Sequence, residues 1–319
     1  MPRVLITGGA GFIGSHTARL ARRMGWSVHV LDNLSTGLEA TLQALKDEGI
    51  EVTIGDIRNT KILSEIVPKC DAIIHLAAQV SVPLSMAEPE ENHDINVEGT
   101  RLILEAAKKH GVLRFVTASS ASVYGAADTL PLHEDEAGNF QSPYAESKWL
   151  NERQIIEARG REMEAVALRI FNVYGPGQRT DGPYAAVIPK FIELITRGVQ
   201  PIIYGDGLQT RDFVHVEDVA RALLMFCTIE WKKELHHVYN VATQTEISLL
   251  ELIRVIQEIL VSIRPNTLLH NPTHKESRPG DIQRSMASIQ RIQNNTEWSP
   301  KVSIEDGLKQ QVLYSIKTT

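Results

Sequence analysis

Three glycines, Gly8, Gly11 and Gly14, lie three residues apart, directly after the apolar run 4–6 and before an amphipathic stretch that begins at Ser15. This spacing predicts a strand, a tight turn and the start of a helix. Glycine lets the backbone turn sharply and lets a pyrophosphate approach bare N–H groups, while the helix N-terminus supplies positive potential. The turn therefore predicts a dinucleotide ligand.

A second strand, residues 27–31, leads to Asp32. An acidic side chain there accepts hydrogen bonds from the adenosine 2′-hydroxyl and repels a 2′-phosphate, which favours NAD over NADP. After a third strand at 51–54, Asp56 can meet the adenine amino group and Ile57 can pack on the ring, although an Asp at this place also commonly caps a helix. The cofactor contacts predicted in these turns further include Phe12, Ile13, Asn33, Ser35, Thr36 and Gly37.

The composition excludes several other classes of protein. A net charge of -6 argues against a general nucleic-acid or anionic-membrane surface. Cys70 and Cys227 are too few and too far apart for a disulfide scaffold, and no Cys/His pattern predicts a metal site. The first strand begins almost at Met1 and no apolar run is long enough to span a bilayer, so we expect a soluble protein in the reducing cytoplasm.

Strand-like runs alternate with helical patterns through the first half of the chain, which predicts a doubly wound parallel α/β sheet of the Rossmann type. The runs lie at residues 4–7, 28–32, 52–54, 72–76, 114–119 and 165–170, with helices at 97–110 and 144–159. Beyond Asn172, glycine and proline mark loops at 175–177 and 182–183, which indicates a second, smaller module.

We predict an interleaved pair of domains. Residues 1–171 form the NAD-binding domain, to which 212–243 return through a strand at 212–215, a helix at 216–228 and a strand at 238–241. Residues 172–211 and 244–319 form a smaller α/β lobe, with a strand at 202–204 and helices near 185–196, 249–260 and 304–315.

Tyr144 and Lys148 are four residues apart at the start of a predicted helix, so their side chains project from one face. An ammonium beside a phenol favours the phenolate, and an oxidised nicotinamide nearby would add a second positive charge. Such a tyrosine can take a proton from a hydroxyl while hydride leaves the same carbon. The pair alone is common on helix surfaces, but here it follows a dinucleotide turn.

Together, the glycine turn, the Tyr144–Lys148 pair and the strand-end run 117–125 (TASSASVYG) resemble the extended short-chain dehydrogenase/reductase family, with its NAD-dependent epimerases and dehydratases. The resemblance runs from Val4 to the C-terminal tail and is closest to the UDP-hexose 4-epimerases. It implies that Ser120 is the catalytic Ser/Thr, which hydrogen-bonds the reacting oxygen. It also implies that a strand end lies along the nicotinamide ribose, supported by Asn96 and formed by His75, Leu76, Ala77, Ala78 and Gln79.

The same resemblance implies a nucleotide-sugar site in the smaller lobe. Asn172, Arg211 and Arg278 match residues that meet or clamp the diphosphate, and a guanidinium fork suits phosphate geometry. Asp281 matches a ligand of the nucleotide ribose, and Tyr204 resembles the aromatic that stacks on uracil. The predicted substrate contacts also include Ser81 and Val187.

Three further positions bear on the reaction and the sugar. Hexose 4,6-dehydratases carry an Asp-Glu pair at the positions of Ala121 and Ser122, and nucleotide-glucuronate decarboxylases keep a Glu at the second. Ala and Ser disfavour both reactions, which leaves oxidation at C4 and its reversal. Ser285 aligns with a sugar-pocket position where epimerases restricted to unmodified hexoses carry tyrosine, so it leaves room for an N-acetyl group at C2.

The resemblance implies NAD-dependent 4-epimerisation of a UDP-hexose by a homodimer that pairs helices 97–110 and 144–159. Two alternatives stay open. A UDP-glucuronate 4-epimerase shares the serine-rich strand end but needs contacts to a C6 carboxylate. A catalytically idle NAD-binding sensor or scaffold is the other, although an intact Ser120, Tyr144 and Lys148 argue against it.

Overall fold

The computed structural model describes residues 2–126, 129–160, 163–180, 186–277 and 282–318. Within these ranges the strands are, in chain order, β1 (Arg3–Thr7), β2 (Ser27–Asp32), β3 (Glu51–Ile54), β4 (Ala72–His75), β5 (Arg114–Ser120), β6 (Glu164–Ile170), β7 (Asn172–Tyr174), β8 (Ile202–Tyr204), β9 (Thr210–His215), β10 (Val238–Val241), β11 (Glu246–Ser248) and β12 (Thr273–Lys275).

The helices of the same ranges are α1 (Phe12–Arg23), α2 (Glu39–Asp47), α3 (Thr60–Ile66), α4 (Val82–Ala87), α5 (Pro89–His93), α6 (Gly99–Lys109), α7 (Pro143–Gly160), α8 (Val187–Thr196), α9 (Val216–Thr228), α10 (Leu249–Ile263), α11 (Gln290–Asn295) and α12 (Ile304–Thr318). Short 3₁₀ turns occur at Val67–Lys69, Ala121–Tyr124 and Glu134–Glu136, and a π-helical turn at Asp94–Glu98.

A parallel sheet of seven strands in the order β10-β6-β5-β4-β1-β2-β3 forms the centre of the described structure. Successive residues of β1 pack into two different cores: Val4 and Ile6 lie with residues of α1 and α9, and Leu5 lies with residues of α3 and α6. A parallel sheet covered on both faces needs such continuous apolar strands. The sequence prediction of a doubly wound sheet is confirmed.

A smaller lobe contains a three-stranded sheet, β11-β9-β7, and a two-stranded sheet, β12-β8. Its own core joins α8, α10 and α12 with residues of β8 and β9, including Ile203 and Phe213. The strand predicted at 212–215, which is part of β9, was expected to rejoin the main sheet. It instead pairs with β7 and β11, while α9 and β10 do return.

The buried carboxylate of Asp212 fixes β9 to two neighbouring segments. It accepts hydrogen bonds from the backbone N–H groups of Thr243, Gln244 and Ala287, at 2.8–3.2 Å, and from the Thr243 hydroxyl. These contacts join β9 to the segment between β10 and β11 and to residue 287. The interleaving of the two domains remains a prediction in its detailed boundaries.

The predicted helix at 97–110 is preceded by the π-helical turn, so its α-helical part starts at Gly99. A π turn leaves a backbone carbonyl without its usual helical donor. The carbonyl oxygen of Asn96 here accepts from the Thr100 hydroxyl at 2.6 Å and from Asn151 Nδ2 at 2.8 Å. The side chains of Thr100 and Asn151 therefore supply the donors for this carbonyl oxygen, and no local sequence pattern predicts these contacts.

No helix in the described part of the chain is long and apolar enough to cross a membrane. Likewise, the described residues contain no group of three or more His, Cys, Asp and Glu side chains placed to hold a metal ion.

Candidate functional site

The glycine turn between β1 and α1 fits a dinucleotide by its geometry. Gly8 has a φ of +69°, and a Cβ atom there would lie 2.7 Å from the backbone nitrogen of Ala77. A Cβ on Gly14 would lie 2.2 Å from the carbonyl oxygen of Gly8. Only glycine permits this conformation and this close approach, which bring the start of α1 against the strand ends.

Asp32 ends β2 beside this turn. Its carboxylate accepts from the Ala10 N–H at 2.9 Å and from the Leu34 N–H at 2.8 Å. Leu34 has a φ of +59°, and a Cβ on Gly37 would lie 2.9 Å from Asp32 Oδ1, so the 33–37 loop wraps closely around the carboxylate. A carboxylate has about four lone-pair directions, so two backbone donors leave acceptor capacity for a ribose hydroxyl.

Around the expected adenine position, Asp56 and Ile57 make contacts within the protein that the sequence did not predict. Both oxygens of Asp56 already accept hydrogen bonds, from the backbone and guanidinium of Arg58 and from Asn33 Nδ2. The hydrogen bonds from Arg58 lower the pKa of Asp56 to about 2. Ile57 is buried, and its Cδ1 would lie 2.5 Å from a Cβ on Gly99. Its side chain thus packs against Gly99 in the core, and its contact with the adenine ring stays a prediction.

The strand end along the predicted nicotinamide ribose is held by buried polar side chains. The N–H groups of Leu76 and Ala77 each donate to the Thr7 hydroxyl at 3.2 Å. The backbone of Gln79 is bonded to the Asn96 side chain in both directions, at 2.8 and 3.0 Å. Gln79 Nε2 is a buried donor for which the described ranges provide no acceptor, as expected where a ligand binds.

Ser120, Tyr144 and Lys148 come together at the carboxyl end of β5. Ser120 ends this strand, and its side chain interacts with the phenol of Tyr144, on the first turn of α7, so as to lower the pKa of that phenol. Lys148 lies one turn further along α7 and donates from Nζ to the carbonyl oxygen of Ala118 at 3.0 Å. Tyr144 and Lys148 are both buried. The predicted trio is therefore one spatial cluster.

Burial controls the charges in this cluster. It raises the pKa of Tyr144, an effect that the hydrogen bond to Ser120 partly offsets, and lowers the pKa of Lys148 to about 8. Burial, together with the charge of Lys148, also lowers the pKa of His75 to about 3, so this imidazole is neutral. A neutral His75 suits its two short contacts, with the hydroxyls of Thr7 at 2.7 Å and Thr100 at 2.9 Å.

A cavity of about 550 Å³ opens between the three-stranded sheet and α8. Four residues that the sequence assigned to the substrate line it: Asn172, Val187, Tyr204 and Arg211. Among its described lining residues, Arg211 and Lys190 are cationic and none is a carboxylate. The cavity therefore suits an anionic ligand with an apolar or aromatic part.

The remaining predicted substrate residues lie in different situations. Arg278 and Asp281 lie outside the described residues. Ser81 is half-buried and caps α4, accepting from the Leu84 N–H at 3.2 Å. Ser285 is buried on the segment that follows Gln283, whose carbonyl oxygen accepts from the N–H of Thr210, next to Arg211.

Sequence reasoning missed three residues around the site. Arg58 donates hydrogen bonds to the carboxylate of Asp56, and Lys190 adds a cation to the cavity lining. The hydroxyl of Ser85 accepts from the backbone N–H of Tyr144 at 3.1 Å. Arg58 is two residues from Asp56 and could have been considered as its partner. Ser85 lies 59 positions before Tyr144, so no local spacing connects them.

The doubly wound sheet and its glycine turn define a dinucleotide-binding α/β protein. A model of the NAD dependent epimerase/dehydratase family matches residues 4–242 of the chain. Because this match covers more than half of the 319 residues, the chain belongs to that family and is an NAD-dependent enzyme. The close approaches at Gly8 and Gly14 and the acid at Asp32 fit this cofactor.

Several characterised proteins are similar over their whole length. The solved UDP-N-acetylglucosamine 4-epimerase of Methanobrevibacter ruminantium, in complex with UDP-N-acetylmuramic acid, is 33% identical, with a TM-score of 0.91 over 100% of this chain and 99% of that one. The UDP-glucose 4-epimerase of Thermus thermophilus, solved with NAD, is 31% identical, with a TM-score of 0.85 over 99% and 100%. A UDP-N-acetyl-alpha-D-glucosaminuronate decarboxylase of Bacillus cytotoxicus is 32% identical over 318 residues, 97% of this chain and 96% of the relative.

Proposed function

We propose that the chain is a UDP-hexose 4-epimerase, which oxidises C4 of the sugar and reduces it again from the opposite face. One observation carries the proposal: Ser120 at the carboxyl end of β5 interacts with the buried phenol of Tyr144, and Lys148 is buried one turn further along the same helix. The names of the two solved 4-epimerases support it. When bound, NAD supplies reversible hydride acceptance at C4, so the reaction has no net redox change.

Each member of the cluster has a distinct role in the proposal. Tyr144 takes the proton of the 4-hydroxyl and later returns it, which is general acid–base catalysis. Ser120 hydrogen-bonds the same oxygen and the phenol. Lys148 supplies a positive charge on the Tyr144 face of α7, and this charge offsets the cost of forming a buried phenolate.

The nucleotide part of the substrate occupies the 550 Å³ cavity in this proposal. Tyr204 stacks on uracil, and Asn172 and Arg211 meet the diphosphate. Arg278 and Asp281 remain predicted ligands of the diphosphate and the ribose. While these contacts hold the nucleotide, the 4-keto sugar turns to present its other face.

Ala121 and Ser122 favour epimerisation over the reactions of two related enzyme groups. They form the first two positions of the 3₁₀ turn directly after Ser120. Neither side chain can act as the carboxylic acid that dehydration or decarboxylation of those types requires. A decarboxylase activity like that of the Bacillus cytotoxicus relative is therefore not proposed.

We further propose that the substrate range includes UDP-N-acetylglucosamine, because Ser285 is small. A UDP-glucuronate 4-epimerase is the second candidate, because such enzymes share the serine-rich strand end that includes Ser120. The homodimer, paired through α6 and α7, remains a prediction. Sedimentation as a monomer at every concentration would contradict it.

The proposed activity is tested by incubating the purified NAD-loaded protein with UDP-glucose, UDP-N-acetylglucosamine or UDP-glucuronate and following each mixture by NMR. We expect the C4 epimers of the first two sugars. Turnover of UDP-glucuronate alone would favour the second candidate. Carbon dioxide release from UDP-glucuronate would indicate decarboxylation, and an absence of turnover with all three would favour a non-catalytic sensor or scaffold.

A further inference from the structure

We propose that Ser85 is a positioning residue for Tyr144, acting through the backbone N–H of the tyrosine across the contact between α4 and α7. The inference rests on the proposed function, because it takes Tyr144 as the acid–base group. Ser85 itself is expected to touch neither sugar nor cofactor. Its effect on the reaction would be exerted through the placement of the phenol.

The backbone N–H groups in the first turn of α7 donate to acceptors on two different residues, Ser142 and Ser85. The first N–H groups of a helix lack partners within the helix. Ala145 N–H donates to Ser142 Oγ, and Glu146 N–H to Ser142 O, both at 3.1 Å, so Ser142 is the cap that this helix carries itself. Tyr144 N–H instead donates to Ser85 Oγ at 3.1 Å. The N–H of the proposed base is thus the one satisfied from another helix.

The side chain of Ser85 is buried and held in place by a second hydrogen bond. Its hydroxyl donates to the carbonyl oxygen of Val82 at 2.7 Å, which fixes the side chain and leaves its lone pairs for Tyr144 N–H. The residue has no solvent exposure. Water therefore cannot replace the hydroxyl without a rearrangement, and its removal would leave a buried donor unsatisfied.

The other end of α4 leads to the cofactor segment. Ser81, the N-cap of this helix, lies two residues after Gln79, whose backbone N–H and carbonyl oxygen are both bonded to the Asn96 side chain. Asn96 also donates to Ser147 Oγ at 2.9 Å, and this hydroxyl donates to the carbonyl oxygen of Tyr144 at 2.8 Å. Both polar groups of the Tyr144 backbone are consequently tied, through Ser85 and Ser147, to the strand end along the predicted nicotinamide ribose. A shift in that segment would move the phenol.

The test compares Ser85→Ala with Ser142→Ala. Each change removes one hydroxyl that accepts from a backbone N–H in the first turn of α7. Only Ser85→Ala removes the hydrogen bond between α4 and α7. We expect Ser85→Ala to lower kcat about tenfold through misplacement of the phenol, with KM for the UDP-sugar and the amount of retained NAD nearly unchanged. Ser142→Ala should change kcat by less than about twofold, because the contact with Ser85 remains. Amide hydrogen exchange in the NAD-free protein gives a second readout: Tyr144 N–H should lose protection in Ser85→Ala and keep it in Ser142→Ala.

Equal kcat in the two variants, or unchanged protection of Tyr144 N–H in Ser85→Ala, would overturn the inference while leaving the proposed function intact. If Ser85→Ala does not fold, the unmodified protein still decides the matter, because an unprotected Tyr144 N–H there rules out the contact. An unmodified protein without turnover of any UDP-sugar would overturn the proposed function, and with it the catalytic meaning of the contact.

Discussion

Arg169 donates two hydrogen bonds to Glu152, from Nε at 2.8 Å and from Nη2 at 2.7 Å, and both side chains are buried. Glu152 lies one turn after Lys148 on α7, and its carboxylate also accepts from the Ser119 hydroxyl at 2.5 Å. The pair thus joins the helix of Tyr144 to β6 and to the residue next to Ser120. Burial alone would lower the pKa of Arg169, but the hydrogen bonds and charge of Glu152 outweigh it and leave this pKa above its ordinary value.

The first prediction concerns the stability of this pair. Glu152→Gln leaves a buried guanidinium without its counter-charge, so the free energy of unfolding should fall by about 3–5 kcal/mol. Glu152→Met combined with Arg169→Met should cost less than the sum of the two single changes, because no unpaired charge remains. Urea unfolding of the single and double variants measures both quantities. A loss below about 1 kcal/mol in Glu152→Gln would show that the pair behaves like an exposed one.

The second prediction is that Tyr144→Phe lowers kcat by about two to four orders of magnitude, because the ring stays and the proton acceptor is lost. The amount of NAD that remains with the purified protein should not change. Tyr239→Phe is the matched control: it removes another buried phenol hydroxyl, which accepts from His236 N–H and donates to Asn295. Its kcat should equal that of the unmodified protein, and a Tyr144→Phe variant with the same property would remove Tyr144 from the mechanism.

The third prediction concerns the choice of cofactor. Asp32→Asn should weaken NAD binding relative to NADP by about tenfold or more, since a charged acceptor is lost and the repulsion of a 2′-phosphate disappears. The N–H groups of Ala10 and Leu34 donate to different oxygens of Asp32, so the asparagine keeps an acceptor for only one of them. Calorimetric titration with both nucleotides gives the ratio of their dissociation constants. Equal affinities in the unmodified protein would contradict the assigned role.

The fourth prediction is a pH dependence of stability caused by Lys148. Burial lowers its pKa to about 8 from 10.5, so the folded protein binds fewer protons than the unfolded chain between these values, and stability rises with pH there. Lys148→Met should therefore raise the free energy of unfolding of the NAD-free protein at neutral pH, by up to about 3 kcal/mol. This gain should shrink as the pH rises from about 8 to 10.5. A difference that does not depend on pH would mean that burial does not penalise the ammonium.

The fifth prediction addresses the sugar. If Ser285 lines the pocket beside C2, Ser285→Tyr should lower kcat/KM for UDP-N-acetylglucosamine much more than for UDP-glucose. Overpacking of this kind typically costs about 1–3 kcal/mol, or about five- to 150-fold in rate. The measurement is the ratio of the two kcat/KM values before and after the change. An unchanged ratio would mean that another residue sets the width of the pocket.

Local patterns were sufficient for most of the main sheet, whereas the catalytic cluster was predicted from the family resemblance. The strands at 202–204 and 238–241 and the helix at 216–228 have the predicted bounds, since apolar runs and turn residues mark their ends. The spacing of Tyr144 and Lys148 places both side chains on one helix face, but the resemblance was needed to choose Ser120, which ends β5.

What the sequence did not predict involves partners that are distant in sequence or a choice among side-chain conformations. The strand predicted at 212–215 has an ordinary β pattern, from which its pairing with β7 and β11 cannot be inferred. The pairing of Asp56 with Arg58 is a matter of side-chain conformation, and the contact of Asp56 with adenine stays a prediction. The π-helical turn before α6 depends on Thr100 and Asn151, which periodicity cannot reveal.

The central claim is that C4 of the sugar loses and regains the same hydrogen within one site. The most direct measurement uses UDP-glucose deuterated at C4 in ordinary water and follows the product by NMR and mass spectrometry. We expect the product to be UDP-galactose that keeps its deuterium at C4, with no net accumulation of NADH. A product in which solvent hydrogen has replaced the deuterium, or the absence of any C4 epimer from every UDP-sugar supplied, would contradict it.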